Sequence, residues 1–360
     1  MRGKQILSLG ILTLIAAWLV LPLGPGRGEA GEAWSSYKAL APIRRNNLTI
    51  FPVVTDRSHD TRDFLTLDEG LRSGDVVVSE AGSLQPLIRG RVRPVPGRPE
   101  VNRLVLVNNS ARPLILLAGE ILTGGKQDRV VGKDRIVPPK SEPIDLAVFC
   151  VEPRRWVATQ YDFSSFRTQM AQPSVRRSAM ADQDQQKVWS EVHASAAAMA
   201  AVASPSAAQE IESTSSYARV MSNDEMKQRV EAVAAPLEQS YQDVMRELRD
   251  RNAVGVVVAV NDQIIWADLF ASTALLEKYW PKLIRSYAAE ALTRSTFPGH
   301  PDVGAAQAFL QDFEARRETV ESEPGVYRRS EFAGEGFTAF ELTTLLPGTG
   351  FDIHIAKMAE

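Results

Sequence analysis

The sequence predicts an α+β protein: a β-rich N-terminal half, either a sandwich or a strongly twisted antiparallel sheet, then a helical insertion and a C-terminal hairpin, helix and meander. Three observations carry this. Apolar or alternating runs of strand length, cut by Gly, Pro, Asn and Asp, fill residues 40–156. Composition turns to Ala, Ser and Gln after Trp156. From Ser222 onward, apolar steps of three and four residues alternate with strand-like runs.

At the N-terminus, Arg2 and Lys4 precede an apolar run from Ile6 to Leu23, and Gly28-Glu29-Ala30 and Gly31-Glu32-Ala33 both offer small residues where a signal peptidase cuts. Residues 1–30 therefore read as an export signal, set apart from the fold, with a periplasmic or extracellular destination. Two alternatives stand beside it. An apolar run of 18 residues is nearly long enough for an uncleaved membrane anchor at residues 6–23, and it also suits a core helix.

The first half follows as short strands. Leu48–Val54, Asp75–Ser79 and Val101–Val107 are candidates, separated by turn residues at Asp56–Ser58, Ser73-Gly74, Pro94–Pro99 and Asn108-Asn109. Thr66–Arg72 suits a helical turn. Leu114–Leu117 is a continuous apolar run of the kind found in buried strands, and Gly124-Gly125 marks a tight reversal. After a turn at Pro138–Ser141, Ile144, Leu146 and Val148 alternate with Asp145, Ala147 and Phe149, as on a strand with one buried face.

Residues 157–221 read as an Ala/Ser/Gln-rich covering flap or a partly disordered insertion, with a helix start near Gln185 and a break at Ser204–Ser206. Ser222 and Glu225 have capping-box spacing, and Met226, Val230, Val233, Leu237, Tyr241, Val244 and Leu248 trace one helix face. Pro236 is expected to kink or divide that helix. Val254–Val260, Asn261-Asp262 and Ile264–Phe270 form a hairpin. Ser272 caps a helix through Tyr279, Pro281 restarts it, and Val303–Arg317 forms another. Val326–Phe332, Phe337–Thr343 and Phe351–Ala356 complete the meander.

Composition narrows the function. With 44% hydrophobic and 24% charged residues, the chain can build a core in one or two domains. Removing residues 1–30 takes away Arg2, Lys4, Arg27 and Glu29, so the formal charge moves from −3 to −5. That balance argues against nucleic acid as a partner. Cys150 is the only cysteine, which excludes an intramolecular disulfide and a cysteine-based zinc site; between Phe149 and Val151 it reads as a small buried hydrophobe. His59, His193, His300 and His354 lack metal-ligand spacing and read as ordinary histidines. No phosphate-binding loop, dinucleotide-binding turn or nucleophile elbow occurs, and no cofactor is implied.

The polar segment between Leu117 and Trp156 is the candidate site. Glu120 and Glu152, at the ends of strands, could act as acid and base if their surroundings separate their pKa values. Lys126, Arg129 and Arg155 could clamp a phosphate or carboxylate beside Gln127, and Trp156 could stack on a base or sugar. Against this stands an architectural reading, in which the same groups form a buried ion-pair network that fixes strand register.

LLAGEILTGGKQDR, VPPKSEPIDLAVFCVEPRRW and VVAVNDQIIWADLF followed by KYWPKLIRSYAAEAL together resemble a bacterial family named for its association with ADP-ribosylglycohydrolases and rhodanese-like phosphatases. The resemblance implies a single domain over about residues 40–360, with its polar motif on Gly119, Glu120, Gly125, Lys126, Gln127, Arg129, Glu152, Arg155 and Trp156. It implies no particular reaction, since the ADP-ribose and phosphate chemistry belongs to the family's neighbours. Two functions are therefore expected: an exported protein binding an anionic small molecule or envelope partner, or a hydrolase of an ADP-ribose-like or phosphate-containing substrate. Whether the protein is an enzyme stays open.

Overall fold

Leu48–Val54 is buried along its whole length and lies in register against Ala253–Val260, nearly 200 residues later. A computed structural model describes residues 19–21, 34, 36–82, 100–153, 160–167, 169–247, 251–312 and 315–360. It is α+β, with a β-rich N-terminal half, a helical insertion and a C-terminal hairpin, helix and meander. The sheets are not divided by half, however. The ten-stranded sheet runs Leu19–Leu21, Ala315–Glu323, Tyr327–Gly334, Phe337–Thr344, Asp352–Ala359, Gln263–Phe270, Ala253–Val260, Leu48–Val54 and Lys38–Ala39, with Ile43–Arg45 also on Leu48–Val54. The apolar composition of Ala253–Val260, and of Leu48–Val54 but for Thr49, suits central strands covered on both faces.

A six-stranded antiparallel sheet holds Gln160–Ser165, Ile121–Gly125, Arg129–Val131, Ile144–Cys150, Arg103–Asn108 and Val76–Glu80 in that order. A three-stranded sheet holds Arg135–Val137, Leu114–Leu116 and Leu65–Thr66. Leu104, Leu106, Leu114, Leu116, Leu146 and Val148 join these two smaller sheets in one apolar cluster. Thr66 and Glu69 form a capping box on the helix Leu67–Ser73.

Part of residues 157–221 lies outside the described residues. The rest is largely helical: Pro173–Arg177, a π turn at Ser178–Asp182, Gln185–Val202, Pro205–Glu212 and Tyr217–Ser222. Val175, Met180, Val188, Met199 and Tyr217 are buried in the largest core, so this part is packed against the body of the protein. That core lies between the large sheet and the helices Asp224–Glu247 and Thr273–Thr293.

Four local expectations are corrected. Ser222 does not cap the long helix, because it ends the preceding one; Asn223 does so, its Oδ1 accepting from the amides of Glu225 (3.1 Å) and Met226 (3.2 Å). Pro236 does not divide Asp224–Glu247, and Pro281 does not restart Thr273–Thr293. Each proline forfeits one backbone bond, and the buried faces around it hold the helix together. The helix from Val303 stops at Gln311, since Ala315–Glu323 pairs with Tyr327–Gly334 instead. Turn residues Pro94–Pro99 lie outside the described residues.

Within the expected export signal, Leu19–Leu21 pairs antiparallel with Glu318–Val320, and its other residues lie outside the described ones. Among the described residues no helix is long and apolar enough to cross a membrane.

Candidate functional site

The turn Ala118-Gly119-Glu120 leaves the strand Leu114–Leu116 and is buried throughout. Gly119 takes a φ of +95°, and a Cβ there would lie 2.7 Å from the Arg176 Cδ, so both conformation and space demand glycine. Glu120 turns back on its own loop: Oε2 accepts from the Leu117 amide at 3.0 Å, and Oε1 lies 3.2 Å from Lys282 Nζ. Lys282 also reaches Asp68 at 3.2 Å. Burial pushes the Glu120 carboxyl up, against the pull of Lys282.

The Gly-Gly reversal organises a second group. Gly124 and Gly125 both have positive φ, and the Lys126 amide donates to Glu80 Oε1 at 3.0 Å. Asp128 accepts from the Gly124 amide through Oδ1 (3.1 Å) and from Ser216 Oγ through Oδ2 (2.9 Å). Glu152 Oε2 accepts from the Asp128 amide at 3.1 Å, and its carbonyl accepts from Gln127 Nε2 at 3.2 Å. Arg129 is fully buried, with Nη2 3.8 Å from Glu80 Oε1.

The expected residues thus fall in two places. Glu120 belongs with Lys282 and Asp68; Gln127, Arg129 and Glu152 belong with Glu80, Asp128 and Ser216, beside Lys126. Their carboxylates are spent largely on backbone amides and ion pairs, which is what a network that fixes turns and register requires. Arg155 and Trp156 lie outside the described residues. Cys150 is buried, and its thiol is pushed up chiefly by burial.

A third network was not anticipated. His354, read as an ordinary histidine, has Nδ1 2.6 Å from Asp134 Oδ2 and Nε2 3.0 Å from Asp268 Oδ1. Asp268 Oδ2 takes Arg176 Nη1 at 2.8 Å and the Tyr287 hydroxyl. Asp134 Oδ1 accepts from the Ala118 amide at 2.7 Å, which ties the network to the Ala-Gly-Glu turn. Burial alone would push the imidazole down, but the two carboxylates outweigh it and hold it above its usual value. Burial pulls the other way on Asp268 as well, where Arg176 and His354 overcome it and leave the carboxyl far below its usual range. The signals lay in Asp268 and His354, polar residues set inside the apolar strands IIWADLF and FDIHIA.

Asp134 also borders a cleft of about 340 Å³, together with Arg103, Lys133, Arg135, Glu321 and Tyr327. Lys133 and Arg135 cross it to Glu321 and Glu323, each at 2.9 Å. Directly opposite Glu321 on the next strand is Arg329, two residues from Tyr327 and so on the same face of the sheet. Arg329 is 2% exposed; its Nε and Nη2 have no acceptor among the described residues, and its guanidinium lies 4.6 Å from the Phe340 ring centre. Among the described residues, no group of three His, Cys, Asp or Glu side chains is placed to hold a metal ion.

Neither a curated protein nor a solved structure matches the chain. A family model does match, over residues 36–357, which takes in all three networks and both ends of the large sheet's central strands. The chain belongs to the ARPP-1 family, that of the ARG and Rhodanese-Phosphatase-superfamily-associated Protein domain.

Proposed function

We propose that the protein is an exported binder of a small anionic molecule in the cleft at Asp134, met at the wall by Lys133 and Arg135 and from behind Tyr327, on the same sheet face, by Arg329, which is not itself part of the lining. One observation carries the reading: Arg329 is a buried guanidinium whose Nε and Nη2 lack an acceptor among the described residues. A buried charge left without a counter-charge costs several kcal/mol, roughly, and an incoming carboxylate or phosphate would relieve that cost while meeting the planar fork of donors. Lys133 and Arg135 are only partly buried, so exchanging Glu321 or Glu323 for a ligand anion costs each about 1 kcal/mol or less. The cleft's volume, about 340 Å³, suits a sugar phosphate or smaller nucleotide.

A thermal-shift panel of nucleotides, ADP-ribose and phosphosugars tests it. Arg329→Met keeps the stem, removes the charge and should abolish the ligand-induced shift without lowering the unliganded melting temperature. A panel with no shifts, or shifts that survive in Arg329→Met, sinks the reading. Export is tested separately, by N-terminal sequencing of the protein recovered from the cell envelope, with cleavage expected after Ala30 or Ala33.

The hydrolase reading has one observation on its side: Asp134, oriented by His354, borders the same cleft. Under that reading, an ADP-ribose-like or phosphate-containing substrate is turned over, and Asp134→Asn keeps binding but loses turnover.

A further inference from the structure

A larger cleft lies elsewhere, at about 970 Å³, between the loop Ser58–Arg62, the end of the helix Asp224–Glu247 and the start of the helix Thr273–Thr293. Its walls differ in chemistry from the anion cleft. The charged groups offset one another: Arg62 and Arg246 stand against Asp60 and Glu277. Arg62 is already engaged by Asp60, and Arg246 by Asp243 just outside. Between them stand His59, several hydroxyls and the amides of Gln239, Gln242 and Asn252, of which Gln239 Nε2 already donates to Asp243 at 3.2 Å and Asn252 Nδ2 to the Thr55 carbonyl at 3.3 Å. Each side-chain amide presents two N–H donors and a carbonyl acceptor together, which is the pattern that adjacent hydroxyls on a ring meet with both functions of each hydroxyl.

Trp280 supplies a second, independent observation. It lines the cleft, is 1% exposed, and its indole Nε1 has no acceptor among the described residues. Tyr241 packs on it with ring centres 4.3 Å apart, which holds the indole in place. An orphaned indole N–H is a donor awaiting an oxygen, and leaving it unmet is costly. The wall itself is rigid. Trp280 and Glu277 sit on the helix that also carries Lys278 and Lys282, pinned to Glu69 at 3.0 Å and to Asp68 and Glu120 at 3.2 Å.

We propose that this cleft is a second binding site, for an uncharged polyhydroxylated molecule of the oligosaccharide class, whose hydroxyls bridge Gln239, Gln242 and Asn252 and offer an oxygen to Trp280 Nε1. The anion cleft and this one are lined by different residues, so the two sites fail or stand separately.

The test is isothermal titration of the full chain with neutral gluco-, manno-, galacto- and chito-oligosaccharides. Saturable binding of one class is expected, with tryptophan fluorescence changing in step. Gln239 and Gln242 are exposed on a helix, so Gln239→Ala and Gln242→Ala should leave the melting temperature alone. Each should weaken the sugar about tenfold, the loss of one or two hydrogen bonds. Arg329→Met should bind the sugar like the parent chain. The proposal is overturned if no neutral sugar binds at millimolar concentration, if binding is unchanged in the doubly substituted chain, or if Arg329→Met removes it.

Discussion

His354 Nδ1 lies 2.6 Å from Asp134 Oδ2, and this single contact joins the loop ahead of Arg135–Val137 to the last strand of the large sheet. With Asp268 on its other nitrogen, both ring nitrogens face carboxylates, which favours the doubly protonated ring. Its pKa is raised above the unfolded value, so its stabilisation is complete below about pH 6.5 and is lost as pH climbs through the folded value. Asp134 and Asp268 are lowered, so their share is present above about pH 3.9 and is lost as pH falls through the folded values. Urea unfolding from acid to about pH 9 should therefore show a plateau with falling limbs on both sides. His354→Gln should lose the alkaline limb and cost about 3–5 kcal/mol at the plateau, since two buried carboxylates lose their shared cation.

Glu120 and Lys282 make the second case. The pair is almost fully buried, and burial already pushes the Glu120 carboxyl up. Lys282→Met leaves a buried carboxyl without its cation and should cost about 3–5 kcal/mol. Adding Glu120→Gln should return most of that loss, because an amide can still accept from the Leu117 amide. A double-mutant cycle by chemical denaturation measures the coupling. Strict additivity would show that the contact carries no energy, and the account of the Ala-Gly-Glu turn would fail with it.

Much of this architecture was legible in the sequence because it is written in local period. The alternation in Ile144–Cys150, the reversal at Gly124-Gly125 and the hairpin around Asn261-Asp262 each depend on neighbours along the chain. What was not legible depends on residues far apart. Nothing near Leu48 says that its partner strand begins at Ala253. Glu120 and Glu152 stand in one stretch of sequence, yet the fold gives them different partners. Conversely Asp134, Asp268 and His354 are separated by more than 80 residues at each step and meet at one point. Arg329 sits in a charged run, YRRSEF, where alternation alone does not say which arginine turns inward.

Gly119 offers a sharper test of the turn than any charged residue. Gly119→Ala meets both an unfavourable φ of +95° and the Arg176 side chain, whose guanidinium holds Asp268. Gly74→Ala meets only the first, at φ +71°, in open space. The second substitution should cost about 1 kcal/mol, and the first about 3 kcal/mol or more as the buried arginine is displaced. Melting temperatures of the two variants decide it. Equal losses would mean that Arg176 yields freely and that the network around Asp268 is softer than its distances imply.

The start of the long helix gives the last prediction, because sequence spacing and geometry disagree there. Capping-box spacing pointed to Ser222, but that residue is still helical in Tyr217–Ser222, and its hydroxyl is not the acceptor for the next helix. Asn223 is the acceptor, and its Nδ2 also donates to Glu210. Asn223→Ala should therefore cost about 1–2 kcal/mol, and Ser222→Ala should fall within about 0.5 kcal/mol of the parent. Glu225, the other half of the expected box, is tied to Ser204 and Arg229, at the surface. If chemical denaturation instead finds Ser222→Ala the costlier change, the helix begins one residue earlier than the structure places it.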